Sequence, residues 1–185
     1  MLPLMVDTTA LPVLLVGQGA GMLRRLHFLR AGDLGDVRVF SPSPQDAELA
    51  AAAPLVARLP TAGDLAGARL VFIAGLDAAA AEALAEQAHR AGALVNVEDN
   101  KRLSDFFVPG VVRRGDLMVT VSTSGRSPGL TRRLRRYLDG VFGPQWAGRL
   151  ALLSAARERW RREGVDLQTL ARRTDALIDR KGWLP

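Results

Sequence analysis

The chain has 185 residues, a formal net charge of +6 and no cysteine. That length suits one α/β core with a smaller appended part, and the missing thiols exclude a disulfide framework and any thiolate nucleophile or metal ligand. The Ala-rich stretch 47–57 is broken by Pro54, no apolar run reaches a membrane span, and the apolar start at 1–7 is too short for a signal segment, so a soluble protein of a reducing cytoplasm is expected.

In chain order, residues 11–16 are apolar and bounded by Gly17, which predicts a buried parallel strand. A helix is expected at 19–31, carrying Leu23, Leu26 and Leu29. A second strand at 37–40 ends in the turn Ser41-Pro42-Ser43-Pro44. A short helix at 46–53 and a third strand at 55–59 follow. The run 70–74 is a continuous apolar strand, succeeded by a helix at 78–91 and a strand at 93–97. This alternation implies right-handed βαβ units and one parallel, Rossmann-like sheet.

After Asn100 the pattern changes. Residues 106–112 and 117–121 read as two strands of a hairpin or meander, with Pro109 marking the first as edge or bulged. From Pro128 the chain is helical in pattern. Leu130, Leu134, Tyr137 and Leu138 form one apolar stripe, and Leu150, Leu153 and Trp160 a second. Leu167, Leu170, Ala171, Thr174, Leu177 and Ile178 form a third, with Asp166 as its N-cap. The two β runs hold more apolar surface than an isolated hairpin buries, which, with Phe142 and Trp146, predicts a homodimer.

Four segments hold residues suited to chemistry. Gly17-Gln18-Gly19-Ala20-Gly21 follows a strand and opens a helix, where glycines permit a tight turn and close approach of a pyrophosphate to a helix N-terminus. Met22 stands next, near where a third small residue usually eases helix–strand packing. The strand before and the helix after favour a nucleotide site over a ligand-free turn. The second strand's end offers no acid for a ribose hydroxyl; Ser41 either donates there or only begins a turn. Asn96-Val97-Glu98-Asp99-Asn100 lies at a strand's carboxyl end, where such sheets place ligands, and its two carboxylates beside Lys101 and Arg102 suit a base. A plain strand-ending Asx turn accounts for the same residues. Ser122-Thr123-Ser124-Gly125-Arg126-Ser127-Pro128 suits a carboxylate cradle, an N-cap with Pro at N1, or both.

The fourth segment, Arg132-Arg133-Leu134-Arg135-Arg136, is either a solvated helix face or an anion contact; with Tyr137 as its one aromatic neighbour it makes a poor stacking surface for nucleic acid. His27 and His89 are isolated, so no preformed metal site is expected. An arginine-dominated positive charge draws anions, polycarboxylates among them, through bidentate contacts.

Taken together and in order, Val95-Asn96-Val97-Glu98-Asp99, Leu103-Ser104-Asp105-Phe106-Phe107-Val108-Pro109, the run from Val119 to Pro128, Leu130 and Arg132-Arg133-Leu134-Arg135 resemble the precorrin-2 dehydrogenase/sirohydrochlorin ferrochelatase family, with its N-V-V-D, D-F-x-x-P, S-T-G-G-x-S-P and L-A-R-x-L-R succession. The resemblance spans about 11–138. It implies NAD-dependent oxidation of precorrin-2 to sirohydrochlorin, Fe²⁺ insertion to give siroheme, and an intertwined homodimer with one cleft for both steps. The family's key aspartate falls on Asp99. The cofactor residues implied are Gly17, Gln18, Gly19, Ala20, Gly21, Ser41, Ala74, Gly75 and Asp77, and the substrate residues Asn96, Thr123, Ser124, Gly125 and Ser127. The expected organisation is a Rossmann-like dinucleotide-binding domain over 1–110, a dimerisation segment over 111–140 and a helical domain over 141–185.

Departures are local. The family's G-G-G-x-V-A is Gly17 to Met22 here, its A-T-D-D is Ala74-Gly75-Leu76-Asp77, its following Asn is Ala81, and its loop serine is Thr123. They motivate an alternative: a weakened member that binds tetrapyrrole or inserts metal without oxidising it. A nucleic-acid-binding role, suggested by charge alone, is disfavoured by the resemblance, and neither a nucleic acid nor a membrane is expected as partner.

Overall fold

The computed structural model describes residues 2–32, 37–43, 47–52 and 54–184. Met1, Pro44 of the expected turn, and Asp46 and Ala53 at the ends of the expected short helix lie outside the described residues. The chain divides into two compact units, Met1–Val108 and Pro109–Pro185.

The first unit runs β1 (Val13–Gly17), α1 (Gly19–Arg30), β2 (Val37–Phe40), α2 (Ala47–Ala52), β3 (Leu55–Val56), α3 (Ala62–Leu65), β4 (Leu70–Ala74), α4 (Ala78–Arg90) and β5 (Leu94–Val97). The five strands form one parallel sheet in the order β3-β2-β1-β4-β5. Val13 sits opposite Val37 on one side and Leu70 on the other. Every residue of β1 and β4 is buried, the pattern of strands covered on both faces. Alternation then divides the core. Leu14, Val16, Val71 and Ile73 meet Leu84, Ala85 and Ala88 of α4, while Val13, Leu15, Leu70 and Phe72 meet Met22, Leu26 and Leu29 of α1. Met22 is fully buried in that second layer, so a large residue at this position is absorbed as core.

Two local expectations change. The third strand shrinks from 55–59 to Leu55–Val56, and α3, not foreseen, follows it. A capping box starts α3: Thr61 Oγ1 accepts from the Asp64 backbone N–H (3.4 Å), and the Thr61 backbone N–H donates to Asp64 Oδ2 (2.7 Å). Asp64 also receives Arg58 Nη1 at 2.6 Å, and these bonds hold its carboxyl below the usual carboxylate range.

The outer edge of β5 is sealed by the chain that follows it. Asp105 Oδ2 accepts the Val95 backbone N–H (2.8 Å), and the Asp105 N–H returns to the Val95 carbonyl (2.8 Å). Ser104 Oγ accepts from the Val97 N–H (3.0 Å) and donates toward the Val97 and Asn100 carbonyls (3.2 and 2.7 Å). An edge whose polar groups are consumed this way offers no template for a further strand. The expected strand at 106–112 is accordingly displaced. Phe106 packs edge-on against Phe72 (5.3 Å between centroids) and gives its carbonyl to Asn96 Nδ2 (2.9 Å), so pairing begins only after Pro109.

The second unit contains the hairpin β6 (Gly110–Arg114) and β7 (Leu117–Val121), then α5 (Pro128–Val141), α6 (Gln145–Arg162) and α7 (Leu167–Lys181). Gly115, with φ +57°, turns the two-residue connection. Helix α5 lies on both strands and is tied by an Arg114–Asp139 ion pair (2.9 Å). Trp160, Leu170 and Leu177 form the α6–α7 core. Ser127 caps α5 ahead of Pro128, and Asp166 caps α7. Among the described residues no helix is long and apolar enough to cross a membrane.

Candidate functional site

The strand order reverses between β1 and β4, because the chain leaves β1 for β2 on one side and returns to β4 on the other. The crevice above the carboxyl ends of such neighbours is where open α/β sheets bind ligands. Here it is built by two interlocked turns. A Cβ on Gly17 would lie 1.7 Å from the Ala74 carbonyl oxygen, and one on Gly75 2.1 Å from the Gln18 carbonyl oxygen. The Gln18 N–H donates to the Ala74 carbonyl (3.1 Å). These two glycines therefore allow the β1 and β4 turns to touch through backbone alone.

Gly19 plays a different part. Its φ is +64°, and among the described residues nothing stands within 4 Å of the position a Cβ would take. The first turn of α1 carries no acidic residue, and Gln18 at its N-cap makes no side-chain cap. The N–H groups at the start of this twelve-residue helix, which take no side-chain cap among the described residues and lie beside an open glycine, fit a phosphate: backbone donors and the helix dipole both favour an anion there. The residues present thus suit the pyrophosphate of a dinucleotide.

At the end of β5 the two carboxylates separate. Asp99 is exposed and occupies the left-handed region at φ +57°, where Asp is better tolerated than most side chains. Glu98 is partly covered and reaches back over α1: its Oε2 would lie 2.3 Å from a Cβ on Gly21, and its Oε1 is 3.7 Å from Arg24 Nη2. Arg25, one residue on, lies over the Phe28 and Phe72 rings (5.8 and 5.6 Å). Burial lowers its pKa, and the charges of Glu98 and Asp99 work against that shift.

Other expected residues are engaged locally. Asn96 is buried; its Nδ2 is bound to Phe106, while Oδ1 has no hydrogen-bond partner among the described residues. Ser41 is fully buried, and its Oγ accepts from the Ser43 N–H (3.2 Å). Asp77 caps α4 by accepting the Ala80 N–H (2.9 Å). In the second unit, Thr123 Oγ1 accepts from the Ser127 N–H (3.1 Å) and lies 3.0 Å from Thr131 Oγ1. Ser124 and Gly125 are both left-handed, at φ +55° and +74°. Ser127 Oγ accepts from the Leu130 N–H (3.3 Å). Gly17, Gln18, Gly19, Ala20, Gly21, Ala74, Gly75 and Asp99 are thus gathered at the strand ends of the first unit, and Thr123, Ser124, Gly125 and Ser127 form one loop of the second. The contact of Glu98 with α1 is what the sequence reading missed; its signal was a glycine at position 21 ahead of Arg24. Among the described residues no three His, Asp or Glu side chains converge as a metal site.

The fold and the glycine cradle define a dinucleotide-binding α/β protein. Residues 4–110 match the family model described as "Putative NAD(P)-binding", and the chain belongs to that family. The siroheme synthase of Methylococcus capsulatus is 37% identical over 165 residues, covering 86% of this chain and 34% of the relative. Siroheme synthase 2 of Aeromonas salmonicida is 36% identical over 156 residues, 83% of this chain and 32% of the relative. The chain therefore spans about a third of the length of these relatives. A solved structure titled "SirC, precorrin-2 dehydrogenase" superposes with a TM-score of 0.75 over 100% of this chain and 93% of that one, at 22% identity. The relatives agree with the resemblance carried by the 95–135 motifs, and the likeness of structure establishes the fold.

Proposed function

We propose that this protein catalyses the NAD-dependent oxidation of precorrin-2 to sirohydrochlorin. The observation that carries the reading is a glycine turn left open at Gly19 after β1, with Asp99 following β5 at the same, carboxyl-end edge of the parallel sheet. The bound dinucleotide supplies a hydride acceptor. The protein's own residues do the rest. Gly19, Ala20 and Gly21 would hold the pyrophosphate through backbone donors. Gly17 and Gln18 shape the turn that presents them, the Gln18 N–H being bound to the Ala74 carbonyl, and Ala74, Gly75 and Asp77 fix the adjoining wall. Ser41 shapes the turn at the adenosine side, its hydroxyl oxygen accepting from the Ser43 N–H.

Oxidation removes a hydride and a proton from the substrate. Asp99, exposed just beyond the end of β5, takes the proton. The loop of Thr123, Ser124, Gly125 and Ser127 is assigned to substrate carboxylates: its two left-handed residues suit a concave arrangement of backbone N–H groups, and the arginine-rich chain favours a polycarboxylate ligand. Asn96 acts from behind by anchoring the segment after β5. With Fe²⁺ as a second substrate, Asp99 would likewise accept pyrrole N–H protons as the metal enters.

We also infer a homodimer. Leu130, Leu134, Tyr137 and Val141 stand at i, i+4, i+7 and i+11 of α5 and are all exposed in the single chain. Residues 111–140 are then the dimerisation segment and 141–185 a helical appendage, and a cysteine-free chain suits a reducing cytoplasm. A second reading, favoured by the Glu98 carboxylate lodged beside the cradle, is a member that binds tetrapyrrole or inserts metal without oxidising it. Titration with NAD⁺, followed by turnover of precorrin-2, separates the two: dinucleotide binding with sirohydrochlorin formation supports oxidation, and tetrapyrrole binding alone supports the second reading.

A further inference from the structure

An acid from outside α1 lies beside its first turn. No acidic residue lies in that turn, yet Glu98, at the end of β5, brings Oε2 to 2.3 Å from where a Gly21 Cβ would stand. Side chains on a helix lean toward its N-terminus, so the space above Gly21 borders the N–H groups of the turn. Arg24 holds the carboxylate there from the next turn at 3.7 Å. The Glu98 side chain is 24% exposed and that of Arg24 70%, so the acid is tucked against the helix while its partner remains in water. A glycine at position 21 is what makes the room.

We propose that Glu98 tunes the affinity of the dinucleotide site, as an internal anion beside the first turn of α1 that opposes the incoming pyrophosphate. The inference rests on the cofactor reading above. Two anions beside one helix start repel each other, and the helix dipole favours whichever is bound. In the free protein Glu98 stabilises α1. On dinucleotide binding the same charge becomes unfavourable, and Arg24 moderates it by pairing with the acid. A purely structural acid would behave otherwise, because its loss would weaken the fold and the binding together.

The test is calorimetric titration of the full chain with NAD⁺ and with ADP-ribose, which carries the pyrophosphate without nicotinamide. Thermal midpoints of the free proteins are recorded alongside. Glu98→Gln is expected to tighten both ligands by about fivefold, the scale of a helix-terminus charge, while lowering the midpoint slightly. Arg24→Ala, which leaves Glu98 unmoderated, is expected to weaken both. Unchanged or weaker ADP-ribose binding in Glu98→Gln, with wild-type binding intact, overturns the inference and leaves the cofactor reading standing. An effect confined to NAD⁺ also overturns it, because Glu98 would then contact the nicotinamide half. Failure of every variant to bind either ligand overturns both readings.

Discussion

At φ +57°, Asp99 couples the chemistry of its carboxylate to an uncommon backbone conformation. Alanine at this position loses the acid and also takes on left-handed strain of about 1–2 kcal/mol, so Asp99→Ala mixes two effects. Asp99→Asn separates them, since Asn tolerates the same conformation and keeps the volume. Turnover of precorrin-2 should fall by roughly a hundredfold or more in Asp99→Asn, with thermal midpoint and NAD⁺ affinity little changed. Full activity in that variant, or a collapse in Glu98→Gln instead, would place the base elsewhere. Gly19 offers a second test. A valine at φ +64° would project into the open space over the first turn of α1, and Gly19→Val should lower dinucleotide affinity by about tenfold or more through strain and steric exclusion. Unchanged affinity by titration would mean that the phosphate binds elsewhere.

Whole strands were the most legible elements, for a physical reason. β1 and β4 are buried on both faces, so they read as uninterrupted apolar runs bounded by glycine. The caps Ser127 and Asp166 were equally visible, because capping is local chemistry. What escaped the sequence depends on tertiary placement. Helix α3 is short, and its sole signal is the Thr61–Asp64 box. Residues 57–59 have strand-like composition nearby but leave the ladder where Arg58 turns to Asp64. Phe106 reads as strand but is spent on Phe72. The glycine loop and Asp99 were visible in the motifs; the reach of Glu98 to Gly21 was not, because it joins the end of β5 to the start of α1. The edge seal of β5 yields a prediction at this scale. Ser104→Ala leaves the Val97 N–H without its partner, which should cost about 1–3 kcal/mol. Denaturant unfolding of the variant measures it, and a change within error would show that the seal contributes little.

At the scale of the whole molecule, an arginine-rich charge and the exposed apolar stripe of α5 both suit partners outside a single chain. The stripe predicts association. Leu134→Glu places a charge at its centre, where burial of an unpaired carboxylate is strongly unfavourable, and light scattering should report a lower mass than for the wild type. A wild-type monomer at micromolar concentration would remove the dimer from the account. The charge predicts a polyanionic ligand, which precorrin-2 supplies through its carboxylates. The most direct measurement is therefore incubation of the purified chain with precorrin-2 and NAD⁺, monitoring NADH and sirohydrochlorin by absorbance. Equal formation of both products, dependent on Asp99 and independent of added metal, is the expected result. Absence of sirohydrochlorin from a folded, NAD⁺-binding protein would contradict it.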